Sequence, residues 1–335
     1  MTPSTPDPLL AGKDELVFWP PIGREARAGS WARQAETTLD RIDGALADGR
    51  RADAAALVRH LVVEATEIHE LLSEWCAVIP AILGREGVSP ERMAELDERA
   101  RASAGEVDYT ACWHHFVATA AESADAIVAG TAGDEAVKVT VAAWLEGHDS
   151  HLLLTAGWVD AAVTELGEAR LGELWAELQR EPIASYARYD VERSPWPDSF
   201  ALLVQIALEG MHAHFGGPSR RGEIELIEHE DRIELRFDPC GSGGRIRRQE
   251  LFGVTQEPHP FAWNRVGVCH YCIHCCVLQQ LEPIRRLGYP ARVIEPPTEP
   301  GMQCSWTVYR RPDLVPDSAY TAVGETPPVK REDCD

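Results

Sequence analysis

Between about Ser30 and Arg180 the chain repeats apolar side chains at three- and four-residue spacing against an Ala-, Leu- and Glu-rich background. That period is close to one helical turn, and it commits the segment to amphipathic helices. The spacing predicts helices near 30–48, 52–79, 90–103, 107–129, 134–155 and 158–179, with GREGVSPE and AGTAGDE as joints. Ser89 before Pro90 marks a helix start, because a hydroxyl can cap and proline fits the first turn. Helices with one apolar stripe each bury it most economically against one another. A helical bundle over 30–180 is therefore expected, behind an N-terminal extension over 1–29.

After Glu181 the period changes. SYARYDVERSPWPD reads as a connector, over 181–197, before one more helix near 198–213. EIELIEHEDRIELRF alternates apolar and polar residues on both sides of Glu230 and Asp231, which signals a hairpin. GYPARVIEP and CSWTVYRR add two strands around the PPTEPGM turn. The expected fold class is multidomain, α and α+β: a helical bundle followed by a smaller zinc-binding α+β domain over 198–316, with a polar tail over 317–335.

Composition narrows the partners. With 54 acidic and 32 basic residues the formal charge is -22, which argues against nucleic acid or an anionic membrane surface as a partner. The opening MTPSTPDPLLAGKDELVFW has no basic region leading into an apolar run, and no later stretch offers 18 uninterrupted apolar residues; a cytoplasmic protein with no membrane partner is expected. Five of the nine cysteines fall between Cys240 and Cys276, and reduced thiols are expected in a chain too large to need disulfide staples. Over Cys240 to Arg292 the charge reverses locally. Arg245, Arg247, Arg248, Arg265, Arg285, Arg286 and Arg292 face only Glu250, Glu257 and Glu282, an arrangement that either attracts an anion or is ordinary surface patterning.

The densest chemistry is CHYCIHCC, residues 269–276. Zinc takes four thiolate or imidazole ligands in a tetrahedron, drawn from two segments that each supply close ligands. Cys269, Cys272 and Cys275 repeat at three-residue spacing, and Cys240 stands in FDPCGSGGR after a strand. Its glycines allow the backbone to turn and set a thiolate against another segment. The expected metal ligands are Cys240, Cys269, Cys272 and Cys275, with Cys276, Cys304, His270 or His274 able to replace one. Zinc is the expected ion and iron the second choice; buried free cysteines acting as small hydrophobes are the competing reading. GSGGR matches neither phosphate-binding glycine pattern.

Other groups complete a candidate site. Glu209 and His212 form an ExxH pair on one helix face and are the candidate acid–base residues, with His214 beside them. Arg245 and Arg247 would offset a substrate's negative charge, and Cys304 would contact it. In the helical region His60 and Glu64 share a face, and His69, Asp108, Cys112, His115, His148 and His151 fall at helical spacings that either meet in the bundle or face solvent.

RHLVVEATEIHELLSEWCAVIP, through His69, Glu74 and Pro80, resembles a helix of the hemerythrin-like superfamily, and GHDSH is similar to a later helix of it through His148 or His151. That resemblance implies a bundle and, with it, a diiron centre held by histidines and carboxylates. Farther on, a cysteine-bearing helix start at Cys275 or Cys276, then LGYPARVIE, then Cys304 followed by SWTVY, resembles the vinyl-reductase-like domains. Those modules bind small hydrophobic ligands, and their cysteines can hold zinc or close a ligand pocket. Two functions are thus expected to compete: a zinc-dependent enzyme acting on a small, possibly anionic molecule at the domain junction, and a zinc-stabilised small-molecule binding or sensor protein with a vinyl-reductase-like pocket.

Overall fold

The computed structural model describes residues 14–20, 23–180 and 196–328. Most of the expected connector and the end of the expected tail lie outside them. Strand β1 (Leu16–Trp19) pairs antiparallel with β2 (Arg24–Arg27), Leu16 opposite Arg27. The segment read as an extension thus contains a hairpin whose Arg27 is fully buried.

Two short helices, α1 (Trp31–Ala35) and α2 (Thr38–Ala47), stand where the spacing predicts one. Thr37 between them is extended, and its hydroxyl accepts from the Asp40 amide, so the chain stops and restarts on a cap. Helix α3 (Arg51–Arg85) runs straight through Pro80. Proline removes one amide and crowds the preceding turn, but Ile79, Ile82 and Leu83 around it are buried, and their packing carries the helix on. α4 (Pro90–Ala104) starts on the Ser89 cap, as the sequence predicts, and is followed by α5 (Tyr109–Ala129) and α6 (Asp134–Leu166). α6 is a single helix past the break expected near residue 156. A Cβ on Gly157 would lie 2.8 Å from the Ala100 Cα, so this glycine serves the close approach of α4 and α6. Short α7 (Leu171–Leu178) follows. Helices α3 to α6 pack on one another as the bundle.

The second half begins with α8 (Trp196–Ala213). Strands β3 (Glu225–Glu228), β4 (Arg232–Phe237), β5 (Val293–Glu295) and β6 (Cys304–Tyr309) form an antiparallel sheet in the order β3-β4-β6-β5. The expected hairpin is β3 with β4, Glu228 opposite Ile233. Ile233, Leu235 and Phe237 on β4 and Cys304, Trp306 and Val308 on β6 are buried with the period of two that a half-buried sheet requires. α8 packs against both β6 and α3, which places it between sheet and bundle. Between β4 and β5 the chain forms α9 (Gly243–Gln249) and then α10 (Ile273–Cys276), which passes through a π-helical turn, Val277–Leu281, into α11 (Glu282–Leu287). The segment expected as a polar tail opens with helix α12 (Asp317–Thr321), whose Ala319 and Tyr320 are buried. Among the described residues no helix is long and apolar enough to cross a membrane.

Candidate functional site

Bundle and sheet do not close completely on α8. A cavity of about 110 Å³ remains at their junction. Its walls come from Ile68, Leu71, Leu72 and Trp75 of α3, from Ile206, Ala207, Gly210 and Met211 of α8 and His214 just past its end, and from Leu278, Ile294 and Trp306 farther along the chain. On α8 these positions recur at intervals of about four and so share one face. Four thiols line the same space: Cys240, Cys272, Cys275 and Cys304.

The cysteine loop reaches this cavity through glycine. A Cβ on Gly243 would collide with Cys272 Sγ, so only a residue without one lets the Cys240 loop lie on the CHYC segment. The Gly244 amide donates to Cys240 Sγ at 2.9 Å. Trp175 anchors the segment to the bundle: its Nε1 donates to the His270 carbonyl at 3.1 Å, and its ring meets Trp75 edge-on at 5.0 Å. Burial raises the Cys240, Cys275 and Cys304 thiols above their ordinary range. Cys272 is raised in the same direction by the hydrogen bond it donates to Cys269, which lowers Cys269 in return. Without a bound cation the cavity thiols are neutral, polarizable and compatible with an apolar guest.

Three of the polar features on this wall bear most on what it could hold. Arg292 is 3 % exposed and carries a positive charge. Its Nη2 donates to the Leu203 carbonyl at 2.7 Å and its Nη1 to Gln279 Oε1, while its buried Nε has no hydrogen-bond partner among the described residues. The guanidinium lies 5.5 Å from the centre of the Trp306 ring. Trp75 Nε1 is likewise buried and without a partner among the described residues.

The third feature is a chain of imidazoles. His214, on the cavity wall, has its Nδ1 2.8 Å from His148 Nε2, and His148 Nδ1 is 2.9 Å from Asp149 Oδ1. Arg220 and Arg245 grip Asp149 from outside at 2.9 and 2.5 Å. Asp149 sits well below the usual carboxylate range: burial opposes this, but His148 and the two arginines outweigh it. Burial also pushes both imidazoles toward neutrality. With Asp149 ionised, His148 donates from Nδ1 and accepts at Nε2 from His214 Nδ1–H. This tautomer assignment leaves His214 Nε2 with a free lone pair.

The sequence-predicted residues divide. Cys240, Cys272, Cys275 and Cys304 reach the cavity; Cys269 is 1 % exposed and is not part of its lining. Glu209 and His212 share a face, as predicted, but it is the opposite face of α8. Glu209 pairs with Arg24 at 2.5 Å and accepts from Gln205 Nε2 at 3.0 Å; His212 Nδ1 lies 2.8 Å from the Gly222 carbonyl. Arg245 holds Asp149, and Arg247 donates to the Thr298 carbonyl at 2.9 Å. In the bundle, His69 stacks on Trp113 at 4.3 Å and His151 on Tyr109 at 4.1 Å. Among the described residues no group of three or more His, Cys, Asp or Glu side chains is arranged to hold a metal ion. The tetrahedral set expected from the sequence is thus not assembled as found. Arg292, Trp75 and the Asp149–His148–His214 chain were not singled out together by sequence. The signals lay apart in sequence: Arg292 closed the locally basic stretch, His148 fell at helical spacing with His151, and His214 stood beside the Glu209–His212 pair.

No family model, curated protein or solved structure matches the chain.

Proposed function

We propose that this protein binds a small, predominantly apolar molecule in the cavity between the bundle and the sheet. One observation carries the reading: a part-open cavity whose walls come from both halves of the chain, apolar over most of its surface, with a few polar groups lining it. Small-molecule sites have this composition and tend to sit at such junctions. Apolar cavities of on the order of 150 Å³ accept a single benzene ring, so the guest here is a molecule of about one ring. If chemistry follows binding, Glu209 and His212 face away, and the histidines on the cavity wall are His214, steadied by His148 and Asp149, and His274, whose Nε2 lies 3.2 Å from Cys275 Sγ. This is the vinyl-reductase-like expectation in its binding form.

Native mass spectrometry of the purified protein and thermal melts with benzyl alcohol and benzamide test the reading. A retained small molecule, or a rise in Tm with either compound that Gly210→Leu removes by filling the space, supports it. No retained molecule and no shift with either compound would remove it.

A second reading keeps the zinc. Four cysteines from three separate segments line one cavity, and their chemistry suits a soft metal although they are not drawn into a ligand set. Zinc there would be held by Cys240, Cys272, Cys275 and Cys304, and its positive charge would bring the thiols down to thiolates. Elemental analysis of protein purified without added metal decides: about one zinc per chain supports it, and less than about 0.2 ends it.

A further inference from the structure

Arg292 is the most demanding group in the cavity wall. A buried cation ordinarily has an anion beside it, because removing a charge from water costs several kcal/mol unless a partner replaces the solvent. Arg292 is 3 % exposed, and among the described residues its contacts are a carbonyl, an amide oxygen and an indole ring. Those contacts hold the guanidinium in place without neutralising it. Among the described residues no carboxylate forms an ion pair with it. The one acidic residue on the cavity wall, Glu67, is exposed on α3. Guanidinium carries five N–H donors, and the buried Nε–H is unused. Trp75 supplies a second unused donor in the same wall.

A cavity of ring size, apolar on most sides, with a fixed and unneutralised guanidinium and a spare indole N–H, is complementary to a small organic acid. Resting on the proposed cavity-binding function, we infer that the guest is a monoanionic carboxylic acid with an apolar body of about one ring. Its carboxylate meets Arg292 and the Trp75 N–H, and its body lies among Ile206, Met211 and Leu278. Arginine suits this task because its planar fork matches a carboxylate and it is less strongly hydrated than lysine. The thiols and the neutral His214 contribute no charge that would repel the acid.

Calorimetric titration of the full-length protein with sodium benzoate and with benzamide, its neutral isostere, tests this. Benzoate is expected to bind at least tenfold more tightly than benzamide, and Arg292→Met should abolish that preference while benzamide binding persists. Equal affinities, or a preference that survives in R292M, would overturn the acid assignment and leave the cavity function standing. Failure of both compounds to bind, with the melts also flat, would overturn both. Because R292M also loses its bond to the Leu203 carbonyl, Arg292→Lys is the control if it fails to fold. R292K keeps the cation and should retain a preference for benzoate, reduced by the loss of the fork; loss of all preference in a folded R292K with wild-type affinity for benzamide would count against a charge-based role.

Discussion

The two faces of helix α8 differ in how buried charge is compensated, although each also leaves buried polar atoms without hydrogen-bond partners among the described residues, Arg27 Nε and His60 Nε2 on one and Arg292 Nε on the other. On the outer face Glu209 meets Arg24, and behind it His60, Glu64 and Arg27 continue the cluster, with His60 Nε2 3.6 Å from Glu209 and Arg27 Nε 3.3 Å from Glu64. Thr38 adds hydrogen bonds to both Glu64 oxygens at 2.8 and 2.9 Å. Two carboxylates face two guanidinium groups, and the N-terminal hairpin that brings the arginines is thereby tied to the bundle and to α8. On the cavity face the account does not balance: Arg292 has no carboxylate and Trp75 Nε1 has no acceptor among the described residues. Compensated buried charge stabilises a fold, whereas uncompensated polarity beside empty space points to a missing guest.

The largest expected effect separates the faces directly. Glu209→Ala should cost about 3 kcal/mol in urea unfolding, the lower end for a broken buried pair because Arg24 is a third exposed. It should leave benzamide affinity in the cavity within about twofold. The same group makes a pH prediction. Burial favours the protonated acid, but His60 and then Arg24 outweigh it and hold Glu209 at about 2, below its ordinary 4.5. Its stabilisation is complete above pH 4.5 and is lost as pH falls through 2. Equilibrium unfolding between pH 5 and pH 2 should therefore show a steeper loss for wild type than for Glu209→Gln.

Thr38→Val should cost about 2 kcal/mol, since it strips hydrogen bonds from a buried carboxylate. On the cavity face the sign reverses. Gly210 lies inside α8, and a Cβ there meets nothing within 4 Å. Gly210→Ala should raise stability by about 1 kcal/mol in the same urea assay, by helix propensity alone. A measured loss would mean that the cavity is tighter than its walls indicate. The smallest effect belongs to the solvent side: Asp97→Asn, which breaks the exposed pair with Arg101 at 2.8 Å, should change stability by no more than about 0.5 kcal/mol. A comparable loss there and at Glu209 would erase the contrast between buried and exposed charge.

Much of this architecture was legible in the sequence. Helices α3 to α5 and α8, the Ser89 cap, the hairpin around Glu230 and the strands near Val293 and Cys304 followed from local periodicity and capping. The misreadings have two causes. Gly157 serves a helix contact and Pro80 lies inside a helix, because packing against a partner outweighed local preference at both. Tyr320 and the β1–β2 hairpin were placed in a tail and an extension because short apolar stretches have too little period to be noticed.

For the site, one-dimensional spacing reached only halfway. It grouped Glu209 with His212 and the cysteines with one another, since both sets are close in sequence. It could not orient α8, and positions 212 and 214 lie about 200° apart around a helix, so the choice of buried neighbour on each side was a tertiary matter. Sequence by itself determined most of the long helices and the strands of the second sheet, and it supplied a locally basic, cysteine-rich stretch beside a helix with two distinct faces. Only the folded chain brought Trp75, His214 and Arg292, spread over more than two hundred residues, to one cavity. Cavities form where the packing of distant surfaces is incomplete, and no local pattern records that.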